Sequence, residues 1–126
     1  MKNIILAVSI AILCAACNAT ADSASDVQDA TVIEIATFKL KDGVDHATFA
    51  PLDKAVEVNH VSQQPGFVSR ETGYTEQGDW LVIVHWSSLE AADASMNSFS
   101  SAPAAAEFMN HLEMSTMTMT RYAIND

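Results

Sequence analysis

Several residues of this sequence could act on a small organic molecule. Asn59 and His60 are adjacent, and Arg70 and Arg121 are the only two arginines in the chain. An amide such as that of Asn59 can orient a phenolic or carbonyl oxygen, and a histidine can take a proton near neutral pH. A buried arginine can stabilise a phenolate or a similar anion. Trp86 offers a flat surface that could stack on a planar ligand.

Each of these residues also has a purely structural interpretation. The amide of Asn59 could bond the chain that turns at residues 63–65, and His60 could lie exposed at a helix C-terminus, where the helix dipole favours it. Trp86 could be an ordinary core residue, and each arginine could pair with one of the 16 acidic residues. The residue types alone leave both interpretations open.

The four histidines do not form a recognisable metal motif. His46, His60, His85 and His111 are widely separated, and no Cys, Asp or Glu completes a metal-binding spacing with them. We therefore expect no metal ion in this protein.

The N-terminal residues are typical of a bacterial export signal. Residues 1–3 are weakly basic, residues 4–13 are apolar but too few to span a bilayer, and small residues follow. Residues 13–17 resemble a lipobox that would lipidate Cys17, although Cys14 stands where an aliphatic residue is usual. Residues 19–21 form an alternative cleavage site for ordinary signal peptidase. We expect a signal peptide over residues 1–21 and a periplasmic protein or a membrane-anchored lipoprotein.

Composition narrows the possible partners of the remaining chain. Residues 22–30 are small, polar and acidic and should form a flexible tether, which leaves one domain over residues 31–126. The whole sequence has a net charge of −10 and no basic cluster, so nucleic acid and anionic lipid headgroups are poor partners. Membrane contact would come only through the lipid anchor. Both cysteines lie in the signal, so the domain has no disulfide or thiol chemistry of its own.

The first half of the domain predicts a strand followed by a helix. Residues 31–40 are apolar and β-branched and end at a turn signal over residues 41–43. Asp45 can cap a helix, and an apolar stripe follows at helical spacing. Its members are Phe49, Leu52, Val56 and Asn59. Asn59 should therefore face the sheet, near the end of this helix.

The second half predicts three more strands, over residues 67–74, 80–86 and 114–124. Ser87 and Glu90 have capping-box spacing at the start of a helix over residues 89–99. A break over residues 100–103 precedes a second helical piece with Phe108 and Leu112. The resulting order is βαββαβ, the ferredoxin-like α+β arrangement, in which a four-stranded antiparallel sheet carries its helices on one face.

The strand over residues 80–86 is apolar on both sides. Trp80 and Trp86 share one face with two valines, whereas Leu81, Ile83 and His85 point the other way. A sheet face that meets water normally carries polar residues, and a large exposed apolar face is uncommon in monomers. We therefore predict a homodimer joined through the open sheet face. Trp86 and His85 cannot then line the same cavity in one protomer.

The sequence resembles the antibiotic biosynthesis monooxygenase-like domains of the dimeric α/β-barrel superfamily. The resemblance covers nearly all of residues 32–124. Three segments carry it: FKLKDG at residues 38–43, QPGFVSR at residues 64–70, and residues 80–88 with the alanine-rich helix over residues 89–99.

The resemblance implies a dimeric α/β barrel and several possible functions. Cofactor-free members use Asn, Trp and Arg together, which would give Asn59, Trp86 and an arginine the task of holding a substrate oxygen. His60 or His111 would take a proton from the substrate, a small planar aromatic or quinol, which would then reduce O2 directly. The alternatives are a dimer that binds a small apolar ligand without catalysis, and a haem protein.

Haem is the weakest of these possibilities. His111 lies roughly where haem-degrading relatives carry their axial histidine. Those relatives also carry an asparagine in the first strand, and residues 32–40 contain none. We therefore expect no cofactor.

Overall fold

The computed structural model of the chain describes residues 29–125. The predicted signal peptide, the lipidation site at Cys17 and most of the tether lie outside this range. The strands are β1 (Val32–Leu40), β2 (Phe67–Tyr74), β3 (Asp79–Trp86) and β4 (Leu112–Ala123). The helices are α1 (His46–Asn59), α2 (Leu89–Phe99) and α3 (Pro103–Asn110), with a 3-10 turn at Val61–Gln63. None of these helices is long and apolar enough to cross a membrane.

The strands form one antiparallel sheet in the order β2-β3-β1-β4. This arrangement confirms the predicted ferredoxin-like α+β fold, in which β2 and β3 form a hairpin and the helices after β1 and β3 cover one face of the sheet. The two central strands, β1 and β3, carry most of the core. The predicted strand and helix boundaries agree with the structure to within a few residues.

One face of the sheet is buried and the other is partly exposed, as the alternation of residues along β3 predicted. Trp80 and Trp86 on β3 and Phe38 on β1 are buried beneath the helices. On the opposite face, Ile35 and Ile83 are cross-strand neighbours that stay partly exposed in the single protomer. The open face is therefore apolar at its centre.

The prediction that Asn59 faces the sheet is wrong. Asp45 caps α1 as expected, accepting a 2.8 Å hydrogen bond from the Thr48 backbone N–H. The buried side of the helix, however, follows Phe49, Asp53, Val56 and His60, whereas Asn59 is exposed. A stripe on an α-helix can continue three or four residues further on. Leu52 is partly buried and packs against the core as predicted, but the chain buries Asp53 and His60 where the apolar residues suggested Asn59.

The helix α2 begins at Leu89 as predicted, but its N-cap differs from the prediction by one residue. Ser88, and not Ser87, is the N-cap, accepting a 3.1 Å hydrogen bond from the Ala91 N–H. Ser87 instead lies against Gly66, and its N–H donates a 2.8 Å bond to the Gly66 carbonyl. A Cβ on Gly66 would lie 2.5 Å from the Ala91 Cβ, and its φ is +82°. Only glycine permits this close approach between the turn before β2 and the helix α2.

Candidate ligand-binding cavity

A cavity of about 350 Å³ lies between the sheet and the helices. All four strands and all three helices of residues 29–125 contribute to its wall. Almost all the lining side chains are apolar, and the polar exceptions are Glu34, Arg70 and Ser95. A cavity of this size and composition is typical of sites for small organic ligands.

Methionines form much of the cavity wall. All five methionines of residues 29–125 line it: Met96, Met109, Met114, Met117 and Met119. Three of them, Met96, Met114 and Met119, are exposed in the protomer. Unbranched thioether side chains change rotamer at little cost, so this wall can adjust to ligands of different shape.

Trp86 forms a flat part of the wall on β3. The residue is 1% exposed, and its ring packs edge-on against Phe67 with centroids 6.0 Å apart. Among residues 29–125, no group accepts a hydrogen bond from its indole N–H. Trp86 is therefore a core residue that also lines the cavity, and its stacking on a planar ligand stays a prediction.

Arg70 lines the cavity from β2, but it is already paired. Its guanidinium donates bonds of 2.9 and 2.6 Å to the two carboxylate oxygens of Asp53, and Glu57 lies 3.5 Å away. The side chains of Arg70 and Asp53 are 2% and 5% exposed. A two-bond pair of this kind fixes the guanidinium plane and neutralises its charge. Arg70 can therefore contribute shape and remaining N–H groups, but little free positive charge.

Arg121 does not line the cavity but holds a residue that does. Its Nε donates a 2.6 Å bond to Oε2 of Glu34, and its terminal nitrogens bond Asp93 and, at 3.2 Å, the Ala92 carbonyl. Burial by itself would lower the pKa of Arg121, but the bonds and charges of Glu34 and Asp93 raise it above the usual value. Arg121 is therefore permanently charged and ties β1 and β4 to α2.

His60 is buried beside the cavity and not within its wall. Its Nε2 lies 3.3 Å from the Ser95 carbonyl, and its Nδ1 lies 3.4 Å from the Gln64 side-chain nitrogen. Its ring packs edge-on against Phe99, which does line the cavity. Both ring nitrogens thus have protein partners. The expectation of an exposed helix-end residue is wrong, and a role as base stays a prediction that requires breaking one of these contacts.

Asn59 and His111 are not brought to the cavity. Asn59 points to solvent. His111 ends α3, and its Nδ1 donates a 2.7 Å bond to the Glu107 carbonyl one turn earlier. His85 lies on the open face, with Nδ1 3.2 Å from the Ser69 hydroxyl, so it is separated from Trp86 as predicted. No histidine between residues 29 and 125 lines the cavity.

No metal-binding cluster is present in the part of the chain that the structure describes. Residues 29–125 contain no group of three or more His, Cys, Asp or Glu side chains that could hold a metal ion.

Two charged residues of the site were not predicted from the sequence. Glu34 interrupts an apolar strand, and its parity with Val32 and Ala36 already places it on the buried face. The alternation in β1 alone could therefore have predicted that Glu34 is buried. Asp53 follows Phe49 by four residues, a helical spacing that also places it inward. A buried acidic residue at such a position indicates a paired charge or a ligand contact.

Comparisons with solved structures agree on the fold. The chain is similar to SnoaB, a cofactor-independent oxygenase from Streptomyces nogalater, with a TM-score of 0.63 and 15% identity over 78% of this chain and 96% of that chain. A dimeric ferredoxin-like protein from an uncultured marine organism matches with a TM-score of 0.57 and 8% identity, over 81% and 94%. A Chloroflexus aurantiacus protein, provisionally named an antibiotic biosynthesis monooxygenase, matches with a TM-score of 0.55 and 16% identity, over 76% and 94%.

Sequence comparison with known protein families and with curated proteins gives no match. The structural likeness nonetheless spans nearly the whole of each similar protein. The domain is therefore antibiotic biosynthesis monooxygenase-like in its fold.

Proposed function

We propose that this protein binds a small planar aromatic or quinol in the cavity between sheet and helices and oxidises it with O2, without a cofactor. The observation that carries the proposal is the convergence of Trp86 and Arg70 on one apolar cavity. The similarity in fold to a cofactor-independent oxygenase supports the same reaction class.

The proposed reaction makes modest demands on the protein. An electron-rich substrate such as an anthrone or a quinol can supply all the electrons itself. In the anthrone reaction, one oxygen atom of O2 becomes the new carbonyl and the other leaves as water. The protein must hold the ring, exclude bulk water and stabilise the developing charge on the substrate oxygen. The apolar wall and the flat indole of Trp86 meet the first two demands, and the remaining N–H groups of Arg70 would serve the third.

Binding without catalysis is the second candidate function. Two observations favour it: Asn59 is exposed, and Asp53 already neutralises Arg70. The cavity would then serve as a site for an apolar molecule, with the methionines adapting to it.

Oxygen uptake separates the two candidates. Purified protein is mixed with a panel of anthrones and quinols, and O2 consumption is compared with spontaneous oxidation. Ser95→Leu places an apolar group in the cavity and should abolish any uptake, whereas Asn97→Leu on the exposed side of the same helix should not. Binding with no uptake above background would discard the oxygenase and leave the binding function.

We also propose that two protomers associate through the open sheet faces. Ile33, Ile35, Leu81 and Ile83 form an apolar centre on that face and are partly exposed in the single protomer. A second copy would bury them, and isologous pairing is the commonest way to do so. Export, with or without lipidation at Cys17, remains a proposal from the sequence of residues 1–21.

A further inference from the structure

We propose that Glu34 is the polar anchor of the cavity and that it selects neutral aromatic ligands carrying a hydroxyl group. This inference rests on the proposed use of the cavity as a ligand site. It names the chemical class that the cavity accepts and a residue that determines it.

Glu34 occupies an unusual place for a carboxylate. It lies in the centre of β1, opposite Val84 on β3, and it is 7% exposed. Its neighbours on the same face, Ala36 and Phe38, are core residues that also line the cavity. Burying a carboxylate costs several kcal/mol unless partners compensate for the lost water. A purely structural strand position would be filled more stably by an aliphatic residue.

The pairing of Glu34 with Arg121 leaves one oxygen free. The two residues are directly opposite in the β1–β4 register, and Arg121 Nε donates to Oε2 at 2.6 Å. The other nitrogens of Arg121 bond Asp93 and the Ala92 carbonyl, so Arg121 makes only one hydrogen bond to Glu34. Within residues 29–125, Oε1 accepts no hydrogen bond, and it is not fully buried. A carboxylate oxygen on the wall of an apolar cavity is a strong acceptor for a ligand O–H.

The surrounding charges disfavour an anionic ligand. Arg121 lies between Glu34 and Asp93, and Arg70 lies between Asp53 and Glu57. Each arginine therefore has two carboxylate neighbours, and each cluster is net negative. An anion entering the cavity would lose its water and meet no unpaired positive charge. A neutral donor loses far less solvation and gains the bond to Glu34.

Three ligands of the same ring size test this assignment: 1-naphthol, naphthalene and 1-naphthoate. Their affinities for the full-length protein are measured by isothermal titration calorimetry. We expect 1-naphthol to bind at least about tenfold more tightly than naphthalene, which is the lower end for one hydrogen bond to a charged group. We expect 1-naphthoate to bind more weakly than naphthalene.

Variants of Glu34 test whether this residue causes the preference for 1-naphthol over naphthalene. Glu34→Leu should reduce the ratio of naphthol to naphthalene affinity to about one while leaving naphthalene binding within about twofold. Glu34→Gln keeps the side-chain volume, and it should reduce the ratio and strengthen 1-naphthoate binding. Glu107→Gln, an exposed carboxylate outside the cavity, should change nothing.

The outcomes separate the role of Glu34 from the use of the cavity as a ligand site. Equal binding of 1-naphthol and naphthalene by the unmodified protein would overturn the role of Glu34 and leave the cavity as a ligand site. An unchanged ratio in Glu34→Gln would do the same. Failure of all three compounds to bind would overturn the proposed function itself.

Discussion

Arg70 on β2 and Asp53 on α1 are joined by two hydrogen bonds, of 2.9 and 2.6 Å, and both side chains are almost fully buried. The pair connects the first helix to the edge strand of the sheet at the wall of the cavity. It explains why α1 turns a charged residue inward, because the helix orients Asp53 toward the only arginine on β2.

Removal of one member of this pair should destabilise the protein strongly. Asp53→Ala leaves a buried guanidinium with only Glu57 nearby, and we expect a loss of about 3–5 kcal/mol in the free energy of unfolding. Replacing both residues, in Asp53→Leu with Arg70→Met, should cost much less. Urea denaturation measures both values, and a loss below about 1 kcal/mol in Asp53→Ala would show that the pair contributes little.

A charge on the open sheet face should separate the proposed dimer. In Ile35→Asp, a carboxylate would stand opposite Ile83 at the centre of the apolar face. Light scattering should give the mass of two protomers for the unmodified protein and of one for the variant. Thr72→Asp lies on the helix-facing side of the edge strand β2 and should remain dimeric. A single-protomer mass for the unmodified protein would refute the association.

The N-cap of α1 should make stability depend on pH at the acid end. The Asp45 carboxylate accepts a hydrogen bond from the Thr48 backbone N–H, and this bond lowers the pKa of Asp45 below the ordinary value of 3.8. The folded state thus holds this proton less tightly than the unfolded chain does. The contribution is present above pH 3.8 and is lost as the pH falls through the lowered pKa.

Asn also caps helices but does not titrate, so Asp45→Asn provides the matched control. The unfolding midpoint of the unmodified protein should fall relative to that of Asp45→Asn as the pH is lowered from 7 to 2. A constant difference between the two proteins across this range would contradict the assignment.

Lipidation at Cys17 can be tested independently of the fold. Labelling of expressing cells with radioactive palmitate should mark the protein, and Cys17→Ser should remove the label. Cleavage after Ala21 would instead release an unlabelled protein in both cases. Cys14→Ser serves as the control and should leave the label in place if Cys17 is the modified residue.

Much of the fold could be predicted from local signals. The apolar alternation in residues 80–86, the turn at residues 41–43 and the cap at Asp45 each depend on a few neighbouring residues, so the sequence reports them directly. The separation of Trp86 from His85 follows from the period of two in a strand, and the structure confirms it.

The site could be predicted less well because its charges pair across distant segments. Glu34 and Arg121 are 87 positions apart, and Arg70 and Asp53 are 17 apart. The apolar residues alone predicted that Asn59 faces inward. The inward side of α1 in fact includes Asp53, and burial of this charge becomes acceptable only because Arg70 pairs with it. Pairings of this kind depend on the assembled sheet and not on the spacing in one element.

The methionines provide the most direct test of the cavity as the ligand site. All five methionines of residues 29–125 line it, so their methyl groups report on its occupancy from several sides. The protein is labelled with 13C at the methionine methyl groups, and NMR spectra are recorded as 1-naphthol is added. A bound aromatic ring should shift the signals of several of these methionines together, with one common affinity, and Ser95→Leu should abolish the shifts. Binding by calorimetry with no change in any methionine signal would place the ligand elsewhere and contradict the account.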